Sequence, residues 1–461
     1  MSKFHSTVTR RDFMRGLGLA GAGIGAVAAA APVFHDLGEL ATSPKANYKR
    51  PWYVKGVDEP TVEINWSILE PWDWGYAPSN TVIYNPYFNG YGGTEYGREA
   101  SSAFKAEASQ RQTDIRDAGL AANTPGYALR DKALATGAGF LSFGSGLAPI
   151  PFGGQEVTTP EDLGVTKWSG TPEEANNMVR AAAHFYGAAN IGVLKFDANI
   201  KKLYYPKSTR WEDVDVGYQD GRVSVIPDKC QYIICYVVRQ SCEITKRGIA
   251  AQNVGGTYGY AHGPIIQNRL TRFIKALGYQ AWTGGMNVPL GIMCGLSELG
   301  RLNHHVTPEW GSMIRYTPAL ATDLPLAPTK PIDAGIHKFC DVCKICGTTC
   351  QELNGDTPIS LDDEPTYEIS GPWNRVGVKK YQHNWPKCNF CPYCDGSCPF
   401  NVHGIASIHE VIKMVSATTP IFNGFFANMD EFFGYGLRDE EDFAAWWDRD
   451  LNTWPYDTTL I

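Results

Sequence analysis

The sequence predicts a mixed helix-and-sheet core, α+β or α/β, joined to a small cysteine-rich unit. Two observations carry that reading. Between residues 166 and 330 helical and strand patterns alternate, the order expected of an α/β core. Further on, Cys340-Asp-Val-Cys343-Lys-Ile-Cys346-Gly-Thr-Thr-Cys350 and Cys388-Asn-Phe-Cys391-Pro-Tyr-Cys394-Asp-Gly-Ser-Cys398-Pro399 both read C-x2-C-x2-C-x3-C. That is the spacing of bacterial two-cluster ferredoxins, in which the fourth cysteine of each run crosses to the other cluster.

The unit at 331–410 is therefore expected to be ferredoxin-like, with two [4Fe–4S] clusters. One would be held by Cys340, Cys343, Cys346 and Cys398, the other by Cys388, Cys391, Cys394 and Cys350. Gln351 stands where the first run usually continues with Pro, which bears on the turn and not on the ligands. Zinc ribbons use two C-x2-C pairs rather than two four-cysteine runs. A C-x2-C pair also cannot easily supply a disulfide within itself. Cys230, Cys235, Cys242 and Cys294 occur singly among apolar residues and read as buried thiols.

The chain has 461 residues and a formal net charge of -7. This suffices for two or three domains and a large core, and the charge offers no footprint for nucleic acid. The 13 Trp and 23 Tyr belong mostly in that core. Residues 1–31 read as a targeting segment: Arg10-Arg11 precedes a Gly/Ala-rich apolar run from Gly16 to Val33, and Ala28, Ala29 and Ala30 offer small residues for cleavage. The paired arginines make it a twin-arginine signal, and the run is too weakly apolar for a good spanning helix. The signal and the cysteines explain each other, because clusters are built onto reduced thiols in the cytoplasm and this pathway exports folded proteins. The mature chain is expected at the outer face of the cytoplasmic membrane. It would be peripheral, since no later segment offers about 18 consecutive apolar residues.

Residues 32–165, rich in Gly, Pro and aromatics, read as a wrapping unit of loops with one helix between Glu99 and Leu120. A helix starts at Thr171-Pro172-Glu173-Glu174, where Thr171 caps and Glu174 completes a capping box. Strands follow at Asn190–Phe196 and Gln231–Val238, then a helix from Gly263 to Leu277 stopped by Gly278. Leu324-Pro-Leu-Ala-Pro-Thr-Lys-Pro reads as a rigid connector. Residues 411–461, with Phe432, Phe433, Trp446, Trp447 and Trp454 among acids, read as a tail packed back on the body.

Several stretches then add a family resemblance. They are Phe273-Ile-Lys-Ala-Leu-Gly-Tyr279, Gly295-Leu-Ser-Glu-Leu-Gly-Arg301, Thr307-Pro-Glu-Trp-Gly311, Thr322-Asp-Leu-Pro-Leu and Pro331-Ile-Asp-Ala-Gly335. With the leader and the cysteine runs, the chain resembles the catalytic subunits of respiratory reductive dehalogenases over nearly its whole length. The resemblance implies that 166–330 is a nitroreductase-like core holding a corrinoid, base-off and without a protein ligand to cobalt. It implies replacement of carbon–halogen by carbon–hydrogen with two electrons and one proton, the clusters acting as relay. It also implies an organohalide substrate, a small integral-membrane anchor protein and an upstream respiratory electron donor.

For the site, the resemblance places the proton donor at Tyr260, in Thr257-Tyr-Gly-Tyr-Ala-His262, with Tyr258 as competitor. It places a basic partner at Arg315 and a polar pocket residue at Asn287. A phenol has an ordinary pKa near 10, and a nearby cation would lower it. His262 reads as a hydrogen-bonding residue in a Gly-rich turn, and His304-His305 should point apart. Trp373 and Trp385 read as core or pocket wall. Two other functions stand beside this one. An exported iron–sulfur electron carrier would leave most of the chain without a purpose. A cytoplasmic epoxyqueuosine-reductase-like enzyme would not need the leader.

Overall fold

The computed structural model describes residues 50–69, 71, 110–111, 113–138, 152–204, 209–221, 223–248, 253–284, 287–316, 319–371, 374–384, 387–388, 391–401, 407–434 and 436–448. The leader, most of the 32–165 unit, Trp373, Trp385 and Trp454 lie outside the described residues.

Helix α1 spans Leu129–Ala138 and α2 spans Pro172–Phe185. The capping box of α2 forms as expected: Thr171 Oγ1 accepts from the Glu174 N–H at 3.2 Å, and the Glu174 carboxylate accepts from the Thr171 N–H at 2.8 Å. Ala175, Val179 and Ala183, four apart, give α2 its buried stripe. Strand β1 is Asn190–Lys195 and β2 is Tyr232–Arg239. Next come the short α3 (Cys242–Thr245), the long α4 (Val254–Ala276), β3 (Ala281–Thr283) and α5 (Asn287–Met293), then β4 (Ile314–Tyr316) and β5 (Leu320–Thr322).

Strand β2 is the centre of the sheet. It pairs with β1 on one edge and with both β4 and β5 on the other, and β5 pairs with β3. Every one of these pairings is antiparallel. The alternation of helix and strand along the chain therefore does not make the parallel sheet of an α/β core, and the core is α+β. The physical reason lies between β1 and β2. A crossover helix would return the chain parallel, but a separate three-stranded sheet, Thr209–Glu212, Tyr218–Asp220 and Val223–Pro227, occupies that connection.

Strand β2 is apolar at successive positions because both its faces are covered. Ile233, Cys235 and Val237 join Leu194, Leu290 and Ile314 in one core. Ile234, Tyr236 and Val238 join α2 and the α4 residues Ile266, Leu270 and Ile274 in the other. Cys235 and Cys294 are neighbours rather than isolated thiols: their mutual hydrogen bond, then burial, pushes the Cys235 thiol well up. The expected connector at Leu324 is part of the core, with Leu324 and Leu326 buried and Thr329 Oγ1 donating to the Val193 and Cys294 carbonyls at 3.1 and 2.6 Å.

Helix α4 begins at Val254 rather than at Gly263. Gly255, Gly256, Gly259 and Gly263 weigh against helix by propensity. Tertiary packing requires bare Cα atoms at 255, 256 and 259 instead. A Cβ at 256 would lie 2.9 Å from Arg315 Nη2, and one at 259 would lie 3.0 Å from Arg315 Cγ. The glycines let α4 lie directly on β4. Tyr258, Tyr260 and His262 thus sit on a helix, not in a turn.

Helices α6 (Ile336–Cys340), α7 (Ile345–Asn354) and α8 (Tyr393–Gly396) carry four of the eight cysteines of the two runs, followed by α9 (Ser407–Thr418) and α10 (Asn423–Phe433). Beyond α10, Arg438 donates to Glu243 at 3.2 Å, and Trp447 Nε1 donates to Asp131 Oδ1 at 2.7 Å, tying this segment to α3 and α1.

Candidate active site

Strand alternation sends Ile314 into one core and Arg315 toward α4. Arg315 is 9% exposed, with its Cζ 5.6 Å from the centre of the Tyr260 ring, inside cation–π range. Tyr258 is 39% exposed and stacks on His262 with ring centres 6.2 Å apart. Of the two candidate tyrosines, only Tyr260 is thus seen to share the Arg315 face. Pro264 lacks the N–H that would bond the Tyr260 carbonyl, so the helix loses one of its own bonds at the tyrosine. Asn287 opens α5.

Arg315 reaches the second cysteine run. Its Nη2 donates to Asp395 Oδ2 at 3.3 Å, and His304 Nδ1 lies 3.2 Å from Asp395 Oδ1. The backbone around Asp395 is fastened as well. Ser312 Oγ and Asn401 Nδ2 both donate to the Asp395 carbonyl, at 2.8 and 2.6 Å, and the Ser312 N–H donates to Asn401 Oδ1 at 3.0 Å. Gly311 makes room for this: it has φ +60, and a Cβ there would lie 2.5 Å from the Asn401 nitrogen. Burial alone would raise the Asp395 pKa, but His304 and then Arg315 outweigh it and hold the carboxyl at about 2. Asp395 is therefore an anion held between the Arg315 guanidinium and the His304 ring. The adjacent His305 is pushed down to about 3 by burial and by His304, so it stays neutral.

The thiols fall into two neighbourhoods. Burial, then Cys340, Cys346 and Cys398, raises the Cys343 thiol. Burial, then Asp395, Cys391, Cys388 and Cys350, raises Cys394. Asn354 Nδ2 lies 3.5 Å from Cys350 Sγ and 3.9 Å from Cys391 Sγ, so the last cysteine of the first run stands with the second. Among the described residues no three His, Cys, Asp or Glu side chains close on a point that would hold a metal ion.

The first run rests on two buried groups. Glu298 Oε2 accepts from the Ala334 and Ile336 N–H groups at 2.8 and 3.2 Å, and so caps α6 ahead of Cys340. Arg301 gathers the Cys340, Cys343, Ser360 and Asp362 carbonyls at 2.7 to 2.9 Å. Neither residue, nor Asp395, stood out as functional by type. The available signal was position: Glu298 and Arg301 lie in the Gly295–Arg301 stretch, and Asp395 lies inside a cysteine run.

Several polar atoms near α4 are buried without a hydrogen-bond partner among the described residues. They are Gln267 Nε2 and Oε1, Thr271 Oγ1, His262 Nε2 and Thr283 Oγ1. Such a concentration is costly unless another group takes up the bonds.

Comparison with known proteins follows this geometry. A family profile described as "Reductive dehalogenase subunit" matches residues 49–205. The chain is 34% identical over 517 residues to the chloroethene reductive dehalogenase of Dehalococcoides mccartyi strain VS, covering 97% of this chain and 98% of that one. It is 29% identical to the trichloroethene reductive dehalogenase of Dehalococcoides mccartyi strain ATCC BAA-2266 / KCTC 15142 / 195, over 96% and 97% of the two chains. Among solved structures, the catabolic reductive dehalogenase NpRdhA in complex with 3-bromo-4-hydroxybenzoic acid superposes with TM-score 0.53 at 18% identity, over 82% of this chain and 48% of that one. A second, described with a mechanism for B12-dependent dehalogenation, gives TM-score 0.52 at 18% identity, over 87% and 54%. The chain spans about half the length of these two solved structures, and the likeness to them is one of fold.

Proposed function

Since the chain belongs to the reductive dehalogenase family, oxidoreductases that replace a carbon–halogen bond by carbon–hydrogen, we propose that Tyr260 delivers the proton and Arg315 stabilises the phenolate left behind. The observation that carries this is the position of Arg315, buried with its guanidinium 5.6 Å from the Tyr260 ring centre. A phenol gives up its proton readily only when its anion is stabilised, and a desolvated fixed cation does that best. Asp395 keeps the guanidinium from turning away, and the α4 glycines fix the distance between helix and strand. Asn287 is assigned to the same pocket by the resemblance alone.

Members of this family use a corrinoid and iron–sulfur clusters. The corrinoid, when bound, supplies the redox metal at which the carbon–halogen bond is reduced. The residues present fit such a group, which is decorated with amides: Gln267, Thr271 and Thr283 offer buried donors and acceptors that the described protein leaves unused. The two thiol neighbourhoods support Cys340, Cys343, Cys346 and Cys398 as ligands of one [4Fe–4S] cluster, and Cys388, Cys391, Cys394 and Cys350 as ligands of the other. On that assignment the second cluster would lie near Tyr260 and Arg315, and the Asp395–Arg315 contact supports this.

The named relatives act on chlorinated ethenes, and a chlorinated ethene is the substrate class we assign first. Export through the twin-arginine pathway and a membrane anchor protein complete the reading. No helix among the described residues is long and apolar enough to cross a membrane. The test is halide release from a chlorinated ethene by anaerobically purified protein with measured iron and cobalt. Tyr260→Phe should abolish most turnover at full metal content, while Tyr258→Phe should not. Equal activity in Tyr260→Phe and wild type would remove Tyr260 as the acid.

A further inference from the structure

Arg301 is fully buried at 0% exposure, the largest side chain so enclosed among the described residues. Among the described residues its guanidinium donates only to neutral carbonyls, of Cys340, Asp341, Cys343, Ser360 and Asp362, and lies 3.6 Å above the Tyr381 ring. Its backbone N–H points at Cys340 Sγ, 3.4 Å away. Among the described residues no carboxylate pairs with it. Glu298 is turned to N–H groups ahead of α6, and Asp341 accepts from the Tyr381 hydroxyl at 2.8 Å. An unpaired buried cation is costly, and the cost is removed by an anion next to it. A [4Fe–4S] cluster held by four thiolates is such an anion, and net charge is one of the quantities that set its potential.

The second thiol neighbourhood differs. Among the described residues, the side chains seen bonded to Cys350 and Cys391 are neutral, the Asn354 amide and, at Cys350, Thr357, and the adjacent Arg315 and His304 are both paired with Asp395. We propose that Arg301 is the electrostatic partner of the first-run cluster, favouring its reduced state and making it the easier of the two to reduce. The step is a one-electron transfer from a low-potential donor, with no bond broken and no proton moved. The added negative charge sits beside the guanidinium and is stabilised by it. This rests on the ligand assignment given above.

The experiment is a potentiometric titration of the full cluster-loaded chain with titanium(III) citrate, followed by electron paramagnetic resonance. Cys346→Ser and Cys391→Ser assign the two signals. In wild type the first-run cluster should reduce first. Arg301→Gln should shift its reduction equilibrium at least tenfold toward the oxidised form, about 59 mV for one electron, and leave the second-run cluster in place. Arg301→Lys, which keeps the charge, should shift it less. Loaded Arg301→Gln with both potentials unchanged, or with both moved equally, would overturn the proposal. If Arg301→Gln does not load, the wild-type order decides, and earlier reduction of the second-run cluster overturns it. Wild type with fewer than two clusters by iron content would instead defeat the ligand assignment itself.

Discussion

The two cysteine runs have the same spacing and opposite surroundings. The first is enclosed: Glu298 caps the helix that leads into it, and Arg301 collects the carbonyls that leave it. The second is stitched to the core: Asp395, between Cys394 and Cys398, is held by Ser312 and Asn401 and in turn holds Arg315. Identical cysteine spacing thus meets a cation without a carboxylate partner among the described residues in one run, and a carboxylate already committed to Arg315 in the other. Under the proposed function, the first arrangement would stabilise a redox group and the second would tie its position to Tyr260 and Arg315.

The largest break in this contrast should come at the end of the second chain of contacts. Arg315→Met keeps length and apolar packing but removes the cation, so turnover should fall about 10²–10⁴-fold, as for loss of a placed acid. Arg315→Lys should retain part of it, because the charge remains while the planar fork is lost. Halide release at constant iron and cobalt content checks both, and a fully active Arg315→Met would separate Arg315 from proton delivery.

Asp395→Asn should follow. It leaves Arg315 and His304 without their anion, and losing an outer partner of an active group typically costs about 10–100-fold. Breaking a buried pair also costs about 3–5 kcal/mol of stability. Both cluster signals should survive, since no sulfur is touched. Chemical denaturation alongside the halide assay measures the two effects, and unchanged turnover in a folded Asp395→Asn protein would cut the second run off from the site.

On the first-run side, Glu298→Gln should lower stability by about 1–3 kcal/mol, because an amide cannot accept all the N–H groups the carboxylate now serves. Turnover of the folded fraction should stay near wild type, unlike that of Asp395→Asn. A large loss of turnover per loaded protein would erase the proposed division between the runs. Thr171→Ala, remote from both, supplies the baseline: about 1 kcal/mol of stability from the lost cap, with turnover and both cluster potentials unchanged. A thermal shift with no change in halide release is the expected outcome.

Local rules determined much of this from the sequence alone. The α2 capping box, the two apolar strands and the cysteine spacing each act within a few residues, so they can be read in order along the chain. Tertiary structure decided the rest. Four glycines over a short stretch lower helix propensity, yet α4 forms through them, and two of them, Gly256 and Gly259, leave the room that Arg315 fills. Whether the sheet is parallel depends on what the chain connecting β1 to β2 builds, which no local pattern encodes. Arg301, Glu298 and Asp395 acquired their roles from partners tens of residues away, and a charged residue in a sequence does not reveal whether it will be solvated, paired, or buried against carbonyls. Spacing could propose the ligands and family likeness propose the acid, but only the folded chain sets a cation beside one thiol group and an anion beside the other.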